Sequence, residues 1–221
     1  MLPAVFKSIS MSIVCILMLM GCAGTKTEEW QLNQLEGISG YSTTVLGNPA
    51  IIETEEGKKA MAFDGVDDGL LLHTNPIAGA DEFTIEIVFK PYPGYPANRE
   101  QRFLHIQDPQ NDQRRILMEL RLNDRGEWYP DLFMRTENEA LTLIDSTKTH
   151  PVNAWAQLRL TYQDGQLKGY VNGKEELSGQ IRYLPVSPIA KTSIGVRMNK
   201  VSWFKGAIQS VSFTSGVPEP K

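Results

Sequence analysis

Between Trp155 and Lys174 the chain reads Trp-Ala-Gln-Leu-Arg-Leu-Thr-Tyr-Gln-Asp-Gly-Gln-Leu-Lys-Gly-Tyr-Val-Asn-Gly-Lys, and the rest of the molecule has to be arranged around that stretch. Leu158, Leu160 and Tyr162 alternate with Arg159 and Thr161, the period of a strand with one buried face. Asp164-Gly165 then supplies two residues that accept positive φ, as a tight hairpin turn requires. The chain returns through Leu167, Gly169 and Val171, and Asn172-Gly173 turns it again. Two such turns flanking alternating apolar positions predict a β-meander.

Other segments repeat the period. Phe83, Ile85, Ile87 and Phe89 share one face, Thr84, Glu86 and Lys90 the other, and Pro91 ends the strand. Trp30–Leu35 and Thr43–Ile52 are expected to be short strands, with Gly47-Asn48-Pro49 as a break. Phe103–Gln107 and Arg114–Asn123 follow. In the second of these Ile116, Met118, Leu120 and Leu122 form an apolar face opposite Glu119, Arg121 and Asn123. Trp128, Tyr129, Asp131, Phe133 and Arg135 continue the pattern on the next strand. Near the end, Thr192–Val196 is a strand, Arg197–Trp203 a loop, and Phe204–Phe213 a closing strand whose alternation slips near Gln209-Ser210, as at a β-bulge. No long amphipathic helix occurs. The expected fold class is all-β, an antiparallel two-sheet β-sandwich. With 221 residues, 41% of them hydrophobic, one core is enough to hold it together as a single domain.

The Trp155 stretch resembles the central hairpin of laminin-G-like, concanavalin A-like jelly rolls. Ala60-Met-Ala-Phe-Asp-Gly-Val-Asp-Asp68, Phe83–Pro91, and Ser193-Ile-Gly-Val-Arg197 followed by Phe204-Lys-Gly-Ala-Ile208 resemble further segments of that family in the expected order. Together they span about residues 58–214. The resemblance implies a jelly roll. It does not fix a function, because lectins, receptors, glucanases and lyases share that fold.

The N-terminus reads as export signal rather than fold. Lys7 lies in a short n-region, and the mostly apolar run from Ile9 to Met20 has the length of a signal-peptide h-region, short of the ~20 residues a spanning helix needs. It ends in Leu19-Met20-Gly21-Cys22, which resembles a bacterial lipobox with Cys22 as the acylated residue. The alternative is an ordinary signal peptide cut after Gly21 or Ala23. Cys15 would leave with the signal, so Cys22 would stand alone in an exported chain with no disulfide partner. A diacylglycerol plus an amide-linked acyl chain exceeds what stable anchoring in a lipid bilayer requires. Ala23, rather than Asp, resembles substrates sorted to an outer membrane. The expected organisation is a signal peptide over 1–21, a tether over 22–29, the jelly roll over 30–216 and a tail over 217–221, lipid-anchored in a bacterial cell envelope. A net charge of −4, with both signs interspersed, argues against nucleic acid or an anionic membrane surface as the main partner, since both need a basic footprint.

For chemistry, the sequence offers little that points to catalysis. Laminarinase-type glucanases of this fold carry Glu-x-Asp-x-x-Glu on one strand, and no Glu-x-Asp occurs here. His105, Arg121 and Tyr129 are residue types that a polysaccharide lyase uses, but their surroundings match alginate-lyase motifs poorly and in the opposite order. The three histidines show no metal-ligand spacing. Asp64-Gly-Val-Asp-Asp68 reads first as a turn whose carboxylates satisfy local backbone N–H groups and alternatively as a Ca²⁺ site; no other cofactor is expected. Pro91-Tyr-Pro-Gly-Tyr-Pro96 is either a sugar-stacking lip or a plain surface loop.

The function expected is that of a membrane-anchored binding module for carbohydrate. A protein-binding or structural envelope role is the alternative. The ligand contacts expected on the concave sheet and its loops are Glu119, Asp131 and Asn199 as hydrogen-bond acceptors, Arg121 and Arg197 as fixed donors, and Trp128 and Trp203 as stacking rings. The family resemblance places Arg197 and Trp203.

Overall fold

The computed structural model describes residues 25–218; the signal-peptide and Cys22 readings, and the last residues of the tail, lie outside the described residues. In chain order the strands are β1 (Thr27–Gln31), β2 (Thr43–Leu46), β3 (Ala50–Glu53), β4 (Lys59–Asp64), β5 (Gly69–Leu72), β6 (Phe83–Pro91), β7 (Glu100–Gln107) and β8 (Arg115–Leu122). They continue with β9 (Glu127–Thr136), β10 (Glu139–Ile144), β11 (His150–Pro151), β12 (Ala156–Gln163), β13 (Gln166–Val171), β14 (Lys174–Gln180), β15 (Lys191–Ile194) and β16 (Lys205–Ser215). The first sheet has the order β14-β13-β12-β6-β16-β4-β3, with β1 also on β16. The second has the order β10-β9-β8-β7-β15-β5-β2, with β11 on β9. The expected all-β jelly roll is therefore what the chain forms.

Local chemistry explains its centre. Asp164 and Gly165 take φ of 49° and 78°, Asn172 and Gly173 φ of 50° and 82°, so both turns have the positive-φ geometry that matches strand twist. These turns fold β12, β13 and β14 into the meander. The apolar face of that meander and of β6 points at the second sheet. Leu158, Leu160, Ile85, Ile87 and Phe89 meet Met118, Leu120, Trp128 and Leu132, all fully buried. The Phe89 ring lies 4.8 Å from Phe103 and 5.1 Å from Trp128 across the sandwich. Gly169 sits where a Cβ would run into Leu132 of the facing sheet, so β13 and β9 approach as closely as only a glycine permits.

Three boundaries differ from the sequence reading or refine it. β1 starts at Thr27, inside the stretch read as tether, because Thr27–Gln31 pairs with Ser210–Thr214 of β16, and it ends at Gln31 rather than Leu35. The slip near Gln209-Ser210 is a register shift between Ile208 and Ser210 against β6. A second register shift, between Arg102 and Leu104 of β7, has no counterpart in the sequence reading. It lets Phe103 and Leu104 both enter the core and leaves Arg102 on the outer face.

Candidate functional site

Strand register lays out the outer face of the second sheet as rows. His105 of β7 lies beside Leu117 of β8, then Phe133 of β9 and Thr142 of β10. One step towards one end of the strands, the row is Arg102, Glu119, Asp131; the next is Glu100, Arg121, Tyr129. One step the other way it is Gln107, Arg115, Arg135. Of these, Arg102, Arg115, Leu117, Glu119, Arg121, Asp131, Phe133 and Thr142, together with Arg197 from the loop after β15, line an open depression of about 170 Å³. That loop is tied to the sheet by the Met198 N–H, which donates to His105 Nδ1 at 3.0 Å, and by Ser202, whose hydroxyl accepts from Arg102 at 2.7 Å.

The charges on this face fall into two groups. Towards Glu100 the arginines are paired. Arg121 Nε donates to Asp131 Oδ2 at 2.7 Å and also meets Glu100. Arg102 lies 3.2 Å from Glu100 and 2.9 Å from Glu119. Its Nε is not aligned for a hydrogen bond to Glu119, so that contact is electrostatic rather than directed. Glu119 is 4% exposed. Burial pushes its carboxyl up to about 7; Arg102 opposes the shift and Asp131 adds to it. Burial also works on Glu100, but Arg102 and Arg121 hold it below the usual carboxylate range.

Towards Arg115 the picture changes. Among the described residues, Arg115, Arg135 and Arg197 have no carboxylate within ion-pair distance. Arg115 rests its guanidinium 5.3 Å above the Phe133 ring and donates to the Asp112 carbonyl, while its Nε finds no acceptor. Burial, then Arg197 and Arg135, lower its pKa. His105 is fully buried. Burial, then Arg197, Arg115 and Arg102, bring it down to about 3, so the ring is neutral at physiological pH. Because Nδ1 accepts from Met198, the ring proton belongs on Nε2, and that donor has no partner either.

Of the residues expected from sequence, Glu119, Arg121, Asp131 and Arg197 are brought together in this depression. Glu119 and Asp131, 4% and 2% exposed, lie beneath the arginines and orient them rather than presenting open acceptors. Asn199 is exposed in the same loop as Arg197 but outside the lining. Trp203 is half-buried and packs over Gly69, next to Val196. Trp128 is a correction. It shares the parity of Leu132 and Met134, is fully buried in the core, and its ring packs against Phe89 and, at 4.7 Å, His150, so it offers no face to a ligand.

Sequence reasoning missed Arg102, Glu100, Arg115, Leu117 and Phe133 as site residues. For Arg115, Leu117 and Phe133 a signal was available, since they share the odd parity of Glu119, Arg121 and Asp131. Arg102 carried none, because the bulge sets its direction.

The acidic loop forms the turn that its sequence suggests. Asp64 Oδ1 accepts from the backbone N–H of Val66, Asp67 and Asp68, and Asp68 accepts from Asn48 and Asp64. Ligand atoms of Asp64, Asp67 and Asp68 lie within 4.8 Å of one another. Tyr95, of the aromatic run after β6, is exposed beside a second depression of about 430 Å³ that Asn98, Asp124 and Lys205 also line.

An antiparallel jelly roll with a polar, arginine-rich face on one sheet defines a class of protein, and comparison with known proteins fixes the family. The chain belongs to the concanavalin A-like lectin/glucanases superfamily, whose family model matches residues 64–221. No curated protein matches it. Among solved structures it is similar to domain 4 of AbnA, an extracellular arabinanase from Geobacillus stearothermophilus, in complex with arabinotriose. The two are 17% identical, with a TM-score of 0.59 over 87% of this chain and 93% of that one. The binding domain of botulinum neurotoxin DC in complex with SialylT is 15% identical, with a TM-score of 0.60 over 86% of this chain but 48% of that one. The enzymatically active domain of bacteriophage CBA120 tailspike protein 2 is 13% identical, with a TM-score of 0.60 over 80% of this chain and 29% of that one. The chain thus spans nearly all of the arabinanase domain and less than half of the other two.

Proposed function

We propose that this protein is a glycan-binding module whose site is the depression on the outer face of β7–β10, displayed from a bacterial envelope through an acylated Cys22. The observation that carries the reading is the convergence of donors over an apolar floor. Phe133, half-buried and partly covered by the Arg115 guanidinium, offers apolar surface beside a sugar ring, with the buried Leu117 closing the floor beneath it. Around them Arg102 and Arg121 are held by Glu100, Glu119 and Asp131. Donors fixed in advance lose little freedom when they bind a hydroxyl. The likeness to the arabinanase domain solved with arabinotriose and to the toxin domain solved with SialylT supports the same reading. The opposite face supports it too. Of the exposed large apolar side chains among the described residues, only Ile51 lies on a strand of the first sheet, which gives an assembly partner little to grip.

The test is a glycan array with the detergent-solubilised full chain and its Arg121→Lys variant, which keeps the charge but loses the planar fork. Binding that the variant weakens about tenfold supports the site. Absence of glycan binding, together with capture of an envelope protein, would replace it with an assembly role. A catalytic reading needs a carboxyl poised for proton transfer at neutral pH; burial pushes that of Glu119 up to about 7, but it lies beneath Arg102 at 4% exposure. New reducing ends or unsaturated uronate products from the purified chain would establish that reading instead.

A further inference from the structure

The arginines of the depression differ in what they have left to offer. Arg102 and Arg121 are engaged by Glu100, Glu119 and Asp131. Arg115, Arg135 and Arg197 have no carboxylate within ion-pair distance among the described residues, yet Arg115 and Arg197 line the same depression, and Arg135 neighbours Arg115 in register. Partly buried like charges without a counter-ion in contact repel one another. Asp112 and Glu119 offset this at Arg115 only from beyond ion-pair distance, and an anion placed among the arginines relieves the rest of the repulsion. A planar guanidinium matches a carboxylate with two parallel N–H···O bonds. Arg115, which borders the depression, has a buried Nε–H donor without a protein acceptor, an arrangement that is costly unless something else supplies an oxygen. His105 Nε2, also without an acceptor, lies fully buried outside the lining. The volume, about 170 Å³, is below the ~300–1,000 Å³ of sites that enclose a drug-sized ligand, so it suits a single substituted ring.

We infer that the glycan recognised here is acidic, with a sugar carboxylate seated between Arg115 and Arg197 and its ring lying in the depression beside Phe133. This rests on the glycan-binding reading and narrows it to saccharides that carry a uronic or sialic acid.

The experiment is titration of the detergent-solubilised full chain with three sets of oligosaccharides. One set is carboxylated (oligogalacturonate and sialyllactose), one neutral (arabinotriose and cellotriose), and one a sulfated galactan oligosaccharide. The same titrations are repeated with Arg115→Gln and Arg197→Gln. Arg197 sits in a loop without an ion pair, so its variant keeps the fold even if that of Arg115 does not. The expected result is binding of at least one carboxylated sugar, about tenfold weaker in Arg197→Gln and weaker at raised salt. Tighter binding of the neutral set would overturn the inference and leave the glycan site standing. Binding of the sulfated sugar alone overturns the carboxylate assignment, and binding unaffected by either variant puts the site elsewhere. No binding by any set sinks the glycan reading itself and this inference with it.

Discussion

The two faces of β8 and β9 are buried by opposite means, and the outer one less completely, since Arg115, Arg121, Phe133 and Arg135 are only half-buried. Inward, Ile116, Met118, Leu120, Leu122, Trp128, Leu132 and Met134 are at most 1% exposed, covered by the facing sheet, and stabilised by roughly 25 cal/mol per Å² of apolar surface removed from water. Outward, Leu117, Glu119 and Asp131 are 2%, 4% and 2% exposed, yet no second sheet covers them. Their cover is arginine, from β7, β8 and the loop after β15. Burying a carboxylate under a guanidinium contributes little net stability, because desolvation offsets most of the attraction. The inner face therefore accounts for stability, whereas the outer face holds arginine forks at fixed angles over an apolar floor.

This contrast makes predictions that fall off in size from inside to outside. Trp128→Ala should cost about 3–5 kcal/mol in denaturant unfolding, as removal of a fully buried aromatic does; a loss under ~1 kcal/mol would mean that Trp128 is not core. Next is Glu119. Its carboxyl ionises near 7 in the fold and near 4.5 when unfolded, so the native state binds the extra proton between those values and loses stability as pH rises through them. The stability of Glu119→Gln relative to the unmutated protein should therefore rise from pH ~4.5 to ~7, by at most on the order of 3 kcal/mol, and level off above. A flat difference across that window would show that Glu119 is not buried beneath Arg102. The opposite trend, stability rising with pH from about 3 towards 6.5, is expected of His105; taking the difference between variant and parent cancels it. Asp131→Ala should cost about 1–2 kcal/mol, since Arg121 keeps Glu100 as a partner. The smallest effect is at Arg197, where replacement by Gln should change stability by less than ~0.5 kcal/mol while weakening the acidic-glycan interaction. A large loss of stability there would mean that the loop arginine is structural.

How far these faces could be read in advance follows from period and from bulges. Asp164-Gly165 and Asn172-Gly173 specify their turns through backbone chemistry that nothing distant overrides, and the meander is where they put it. Alternation in Arg114–Asn123 separated Met118 and Leu120 from Glu119 and Arg121 because a one-residue slip would have exchanged the two faces. The same rule, applied to Trp128, Leu132 and Met134, puts Trp128 inside. An aromatic next to Tyr129 and Asp131 suggested a sugar platform only because parity was not followed. Arg102 was not legible: the register shift before Leu104 turns on packing of Phe103 and Leu104 against the other sheet. The approach of Arg197 to Arg115 depends on a loop closed by the Lys200 and Ser202 left-handed residues and by a hydrogen bond to a buried histidine, a contact between positions 93 apart in sequence. Pairing of Arg102 and Arg121 with Glu100, and the absence among the described residues of a carboxylate within ion-pair distance of Arg115, are consequences of that three-dimensional register.

The most direct test of the account reads the arginines themselves. In a titration of the full chain with trigalacturonate, followed by NMR of arginine Nε–Hε groups, the resonances of Arg115, Arg121 and Arg197 are predicted to shift together and saturably. Arg159, paired with Glu86 at 2.7 Å on the first sheet, is predicted to stay where it is. Shifts at Arg159 with none at Arg115, Arg121 or Arg197 would contradict the claim that the outer face of β7–β10 is where this protein meets its ligand.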